Sequence, residues 1–123
     1  MREYTYEKNI PQFITLELAD DGPVVINRFH IVAILSRFDN DGECVVICLG
    51  VGHTVRGTPQ SILDMIDPDV FVSLSDGMVY INRYHFVSAT RNTTFPATNV
   101  NCIGWHESVR ETPEQIIELM RAQ

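Results

Sequence analysis

An internal repeat constrains the fold of this chain more than any other feature of its sequence. Residues 24–33 match residues 79–88 at an offset of 55, with Val, Ile, Asn, Arg, His and Val recurring identically. Residues 54–65 match residues 108–119 at an offset of 54. Two blocks in the same order at nearly the same offset indicate a duplicated structural unit.

Each copy of the unit begins with a predicted β-hairpin. The runs Phe13–Leu18 and Phe71–Leu74 are rich in β-forming residues, and the Asp-Gly pairs at 21–22 and 76–77 predict tight turns into a second strand. An Asn-Arg step then interrupts the β pattern in both copies. Two further strands are predicted in each copy, at Ile31–Leu35 and Cys44–Leu49 in the first and at Phe86–Thr90 and Val100–Ile103 in the second. A short fifth strand is an open alternative at His53–Arg56 and at Glu107–Arg110.

Each copy ends in a predicted helix. Thr58 and Thr112 are suited to cap it, and the proline that follows each of them suits the first helical position. In the second copy Gln115 completes a capping box. The apolar face that would pack on the sheet consists of Ile62, Leu63, Met65 and Ile66 in the first copy, and of Ile116, Ile117, Leu119 and Met120 in the second.

We therefore predict an α+β fold of two tandem β-rich repeats, each a hairpin plus two further strands and a C-terminal helix. The repeats span 13–69 and 70–123, after an N-terminal extension over 1–12, in one compact domain. A unit of this size buries too little surface to be stable alone, so the two should pack together as a pseudo-twofold pair. The run Cys44–Leu49 is apolar on both faces, which predicts a central or covered strand.

Length, charge and hydropathy exclude several classes of protein. The chain has 123 residues and a net charge of -7, the opposite of the basic footprint of a duplex-binding protein. We therefore expect no duplex nucleic acid as a partner. The sequence contains no apolar run long enough to span a bilayer and no signal peptide at residues 1–8, so we expect no membrane insertion and a cytoplasmic location.

Histidines and cysteines recur at equivalent positions in the two copies. His30 and His85 could meet as a metal-binding or proton-responsive pair, although hydrogen bonds that tie each imidazole to its own turn are the simpler explanation. Cys48 and Cys102, each followed by a histidine, lack the spacing of a zinc site. We therefore expect buried reduced thiols, no metal and no cofactor. The sequence shows no recognisable nucleophile–base spacing, so we predict no catalytic residues and no enzymatic activity.

Paired arginines form the strongest candidate binding site. Arg28 recurs as Arg83, and Arg56 recurs as Arg110. A guanidinium binds phosphate or carboxylate through two parallel hydrogen bonds, and aromatic rings beside it can stack on a base. Ion pairing with the abundant carboxylates is the alternative explanation. The candidate ligand-binding residues are Arg28, Arg83, His30, His85, Tyr84, Arg56, Arg110 and Trp105.

The second copy resembles the small flagellar proteins of the FlbD/SwrD family. The resemblance is carried by Leu74-Ser75-Asp76-Gly77, by Ile81-Asn82 and by the segment Val109–Met120, which contains Glu111-Thr112-Pro113-Glu114. It implies an accessory role near the flagellar motor, without catalysis.

We predict a non-enzymatic binding or scaffold module that acts through protein interaction and forms a homo-oligomer. The alternative is a protein that sequesters a small anionic ligand such as a cyclic nucleotide, for example one encoded by a phage.

Overall fold

The computed structural model describes residues 11–37, 39, 42–92 and 96–122. The N-terminal extension predicted over 1–12 lies outside the described residues except for Pro11 and Gln12, and the loop residues 38, 40, 41 and 93–95 are also outside them. No helix in the described part is both long enough and apolar enough to span a bilayer.

The chain is an α+β protein made mostly of β-strands. Its first half contains β1 (Phe13–Leu18), β2 (Gly22–Asn27), β3 (Ile31–Ser36), β4 (Glu43–Cys48), β5 (Val51–Arg56) and α1 (Pro59–Leu63). Its second half contains β6 (Phe71–Leu74), β7 (Val79–Asn82), β8 (Phe86–Arg91), β9 (Thr98–Cys102), β10 (Trp105–Val109) and α2 (Pro113–Arg121). Short 3₁₀ turns lie at Arg28–His30, Pro68–Val70 and Arg83–His85.

The described strands form two antiparallel sheets of unequal size. Seven strands are ordered β2-β1-β5-β4-β3-β7-β6, and the other three are ordered β10-β9-β8. The two halves join where β3 pairs with β7, with Ala33 opposite Ile81. No reciprocal ladder between β2 and β8 exists among the described residues, so the pairing between the halves is one-sided.

The contact between the first hairpin and the last strand differs between the two halves. In the first half the amide of Ala19 donates to the carbonyl of Thr54 at 3.0 Å, which joins β1 to β5. In the second half the amide of Ser75, which follows β6, donates to both oxygens of Glu111 at 3.0 Å, and the Ser75 hydroxyl accepts a hydrogen bond from the amide of Arg110 at 3.1 Å. Gly57 stands at the matching position of the first half and offers no such acceptor. The segments that follow β6 and β10 are therefore connected through the side chains of Ser75 and Glu111 rather than through a ladder.

The Asn-Arg steps perform the same local function in both halves. Asn27 accepts a hydrogen bond from the amide of Phe29 at 3.1 Å, and Asn82 accepts one from the amide of Tyr84 at 2.9 Å. Each asparagine thus caps a 3₁₀ turn, as its short polar side chain favours. The pairing register then shifts at the start of the following strand, between Ile31 and Ala33 in β3 and between Phe86 and Ser88 in β8.

Both helices begin as predicted, and one ends early. Thr58 and Thr112 are the N-caps, and both complete a capping box. The first box uses the hydroxyl of Ser61, which the sequence pattern did not indicate because serine is not its usual partner. Helix α1 ends at Leu63, so Met65 and Ile66 lie beyond it. Ile66 is nevertheless buried in the core.

The core has two clusters. One lies around Ile14, Ile31, Val46 and Ile62, and the other around Val32, Ile81, Val100 and Ile116. Strand β4 lies at the centre of the large sheet, as its apolar run predicted. The strand most buried on both faces is β3, because it lies between the two clusters: Ile31 and Ile34 belong to one, and Val32 belongs to the other.

Candidate nucleic-acid interface

The antiparallel topology brings four connecting segments together at one end of the molecule. They are the 3₁₀ turns Arg28–His30 and Arg83–His85 and the hairpin turns Leu49-Gly50 and Ile103-Gly104, and we call this surface the turn end. The amide of Leu49 donates to the carbonyl of His30 at 3.1 Å, and the amide of Ile103 donates to the carbonyl of His85 at 3.0 Å. Each hairpin turn is thus held against a 3₁₀ turn.

The two hairpin turns lie side by side. Gly50 and Gly104 have φ values of +78° and +76°, a conformation that favours glycine. A Cβ added to Gly104 would lie 3.8 Å from the amide nitrogen of Gly50. The turn end therefore presents two neighbouring hairpin tips, one from each half of the chain.

Carboxylates are scarce at the turn end. None of its four segments contains Asp or Glu, and neither do residues 22–38, 44–63 and 77–106, which surround them in the sequence. Among the described residues, the linker before the edge strand β6 brings Asp67, which is buried, and Asp69, which is exposed, to this end, and Glu118 lies in the last turns of α2. The opposite end, which we call the acidic end, carries Asp20, Asp21, Asp39, Glu43, Asp76, Glu111 and Glu114.

Arginines at the acidic end form ion pairs with its carboxylates. Arg37 pairs with Asp39 at 2.7 Å and with Glu43 at 3.0 Å. Its hydrogen bond to Asp39 lowers the pKa of that carboxyl and raises the pKa of the guanidinium. Arg91 pairs with Glu114 at 3.3 Å.

Two of the eight predicted ligand-binding residues lie at the acidic end. Arg110 pairs with Asp76 at 2.6 Å, and Arg56 donates to the carbonyl of Ala19 at 3.2 Å. Arg110 thus follows the alternative explanation of an ion pair. Neither residue lies with the other six candidates, which are at or beside the turn end.

Arg28 and Arg83, which are equivalent in the repeat, donate hydrogen bonds to backbone carbonyls within the protein. Arg28 is buried, its Nε donates to the carbonyl of Pro11 at 3.0 Å, and its guanidinium lies 4.4 Å from the centre of the Phe29 ring. Arg83 donates from Nη1 to the carbonyls of Met120 at 2.8 Å and Ala122 at 3.0 Å, which caps the C-terminus of α2. The two guanidinium groups therefore do not form one anion-binding pocket.

The equivalent histidines, His30 and His85, also differ in burial and in hydrogen-bond partner. His30 is exposed, whereas His85 is half-buried and its Nε2 lies 2.8 Å from the carbonyl oxygen of Phe29. His85 thus ties the second half to the turn of the first half, rather than to its own turn. Among the described residues no group of three or more His, Cys, Asp or Glu is placed to hold a metal ion.

The cysteines are free thiols in the sheets. Burial raises the pKa of Cys44 and of Cys102 to about 11, and it also raises the pKa of Cys48. These thiols stay protonated at neutral pH and pack as small apolar groups, as predicted.

The aromatic candidates differ in exposure. Tyr84 is exposed at the turn end, whereas Trp105 is half-buried and packs against the second core cluster. Sequence reasoning missed the exposed Leu49, Val51 and Ile103, and also Arg121 at the C-terminus of α2 beside Arg83. The run of residues without carboxylates was visible in the sequence and could have indicated this surface.

Comparison with solved structures shows a likeness in fold. The chain is similar to the LytTr DNA-binding domain of a putative methyl-accepting/DNA response regulator from Bacillus cereus, with a TM-score of 0.65 and 12% identity. The likeness covers 92% of this chain and 99% of that domain. No protein-family model matches the chain, and no curated protein is similar to it.

This likeness contradicts three expectations from the sequence. A protein-interaction scaffold of the flagellar accessory type, a cyclic-nucleotide trap and the exclusion of duplex nucleic acid all disagree with a fold shared along its whole length with a DNA-binding domain. The exclusion relied on net charge, which averages over the whole surface, whereas most of the described carboxylates lie away from the turn end. The resemblance to the FlbD/SwrD family stays a prediction.

Proposed function

We propose that this chain is a DNA-binding module that contacts duplex DNA with its turn end. The observation that carries the proposal is the likeness in fold to a DNA-binding domain, which extends over nearly the whole of both chains. The module acts by binding, without catalysis. A duplex partner would put it in the compartment that holds the DNA, in line with the predicted cytoplasmic location.

The separation of charge within the molecule supports the choice of surface. A six-residue strand spans about 20 Å, whereas charges in water are screened over about 8 Å at physiological ionic strength. The repulsion between the acidic end and DNA phosphates is therefore weak when DNA lies at the turn end. The same carboxylates would oppose any approach of DNA from the other end.

The turn end offers hydrogen-bond donors but few charges. Arg121 is exposed in the last turn of α2 and makes no ion pair with any described residue, and His30 and His106 are exposed as well. Each phosphate contact by a cation releases counterions and adds to the salt dependence of binding. With so few free cations among the described residues of this end, we expect modest affinity and a shallow dependence on salt.

A matched pair of charge substitutions tests the surface. His106→Glu places a carboxylate on β10 near the turn end, and Thr90→Glu places one on β8 near the acidic end; both positions are exposed on outer strands of the smaller sheet. Fluorescence anisotropy with a labelled duplex library of randomised core, at low salt, should show weaker binding for His106→Glu and unchanged binding for Thr90→Glu. Equal effects of the two variants, or no binding of wild type to any duplex, would contradict the proposal.

We also propose that the halves 13–69 and 70–123 are copies of one unit that pack as a pseudo-twofold pair. The recurring order of strands, 3₁₀ turns and helices supports the duplication. Strand β3 pairs with β7, but no equivalent pairing of β8 with β2 exists among the described residues, and the strands divide into sheets of seven and three. The proposed pseudo-twofold symmetry therefore applies only to the parts outside the contact of β3 with β7. An experimental structure in which the two halves fail to superimpose, with Ile26 and Ile81 in unlike surroundings, would overturn it.

A further inference from the structure

Two aliphatic side chains occupy equivalent positions at the tips of the turn end. Leu49 and Ile103 are each the first residue of a two-residue hairpin turn and are each followed by glycine. Leu49 is 38% exposed and Ile103 is 49% exposed. Because the two turns are neighbours, these exposed aliphatic residues lie on adjacent hairpin tips.

The sugar-phosphate backbone of DNA offers no complementary group to these two aliphatic side chains. Sugar-phosphate contacts need donors and cations, and the four segments of the turn end supply only the buried Arg28 and the helix-capping Arg83 as arginines. An apolar group gains free energy only by covering another apolar group. On the edges of the base pairs the exposed apolar group is the C5 methyl of thymine, which lies in the major groove.

The shape of the tips fits the same groove. The major groove of B-DNA admits a two-stranded β-ribbon. Strands β4 and β5 end in one tip, closed by the pair Cys48 and Val51, and β9 and β10 end in the other, closed by the pair Cys102 and Trp105. Because β3 flanks β4 and β8 flanks β9, only the tip of each hairpin can enter the groove. The absence of carboxylates from both turns removes the repulsion that would keep a ribbon tip out of the groove.

We infer that Leu49 and Ile103 recognise thymine by apolar contact with its methyl group in the major groove. This inference rests on the proposed DNA binding and adds the chemical feature of DNA that is read. It places base discrimination in two equivalent residues of the two halves, on adjacent hairpin tips.

Removal of the methyl group alone tests the inference. A duplex is first selected by the wild-type protein from a library with a randomised core, and its thymines are then replaced one at a time by uracil. Uracil keeps every hydrogen-bonding group of thymine, so only the apolar contact changes. Each contacted methyl should contribute about fourfold in affinity, the value of one buried methylene-sized group.

Alanine substitutions test whether Leu49 and Ile103 are the side chains that contact the methyl groups of thymine. Leu49→Ala and Ile103→Ala should each bind thymine and uracil equally at the position that they read, while Met65→Ala, which removes an aliphatic side chain of similar exposure (41%) after α1, should discriminate as wild type does. If the selected duplex binds with equal affinity after every replacement, the inference is wrong and DNA binding stands. If a minor-groove ligand displaces the protein while uracil has no effect, the apolar tip lies in the other groove and the inference is again wrong. If no duplex binds, the proposed function itself fails.

Discussion

Asn82 donates a hydrogen bond from Nδ2 to the carbonyl oxygen of Ile31 at 2.9 Å, across 51 positions of the sequence. Asn82 is completely buried, and its Oδ1 caps the 3₁₀ turn that follows it. One side chain therefore fixes a local turn in the second half and attaches that turn to β3 of the first half. Asn27, its equivalent, caps its own turn and is only half-buried.

This difference predicts unequal effects of the same substitution. Asn82→Ala removes a cap and leaves the buried carbonyl of Ile31 without its side-chain partner, which should cost about 2 to 4 kcal/mol in the free energy of unfolding. Asn27→Ala removes a cap alone and should cost about 1 kcal/mol. Urea unfolding of both variants measures the difference. Equal losses would show that the hydrogen bond between the halves contributes nothing.

The sequence predicted the local structure well because turns and caps depend on near neighbours. The two Asp-Gly turns, the asparagine steps and the threonine caps use chemistry complete within a few residues, and all of them lie where the pattern indicated. The contact that replaces a ladder in the second half joins Ser75 to Glu111, which are 36 positions apart. No local pattern carries that information.

The candidate site was harder to predict for a related reason. Repetition identified Arg28 and Arg83 as equivalent, but their neighbours differ: Pro11 lies against one and the C-terminus of α2 against the other. Equivalent sequence positions thus acquired different burial and different partners. Which residues are exposed at the turn end depends on which segments the topology brings together there. Composition does not carry this information, because it averages over both ends of the molecule.

Glu111 provides a second test of how the halves differ. Glu111→Ala removes both acceptors of the Ser75 amide, and Ser75 is also held at a φ of +52°, so we expect a loss of about 1 to 3 kcal/mol in the free energy of unfolding. Glu114→Ala in the same region breaks an exposed ion pair with Arg91 and should change stability by less than about 1 kcal/mol. Thermal or urea unfolding distinguishes the two, and a loss of similar size in both variants would be evidence against a special role for Glu111.

The buried thiols predict the dependence of stability on alkaline pH. Because the pKa of Cys44 and of Cys102 is raised from 9.0 to about 11 in the folded protein, the unfolded chain releases their protons first as the pH rises. The stabilisation is complete below pH 9.0 and is lost as the pH increases towards about 11. The urea midpoint should therefore fall across this interval, and it should fall less in a variant that carries both Cys44→Ala and Cys102→Ala. An identical decline in the variant would assign the effect to other groups.

The final prediction concerns the salt dependence of DNA binding. If Arg121 contacts a phosphate, Arg121→Ala should weaken binding to all duplexes alike and reduce the slope of log affinity against log salt concentration by about 1. Arg83 places the C-terminus of α2 beside the turn end through its hydrogen bonds to Met120 and Ala122, which is why Arg121 is the cation expected to meet DNA there. Arg56→Ala removes an exposed arginine from the acidic end and should leave both the affinity and the slope unchanged. Anisotropy titrations at several salt concentrations provide both quantities for the wild type and the two variants. A slope reduced by Arg56→Ala, and not by Arg121→Ala, would place the DNA at the acidic end and reverse the proposed orientation.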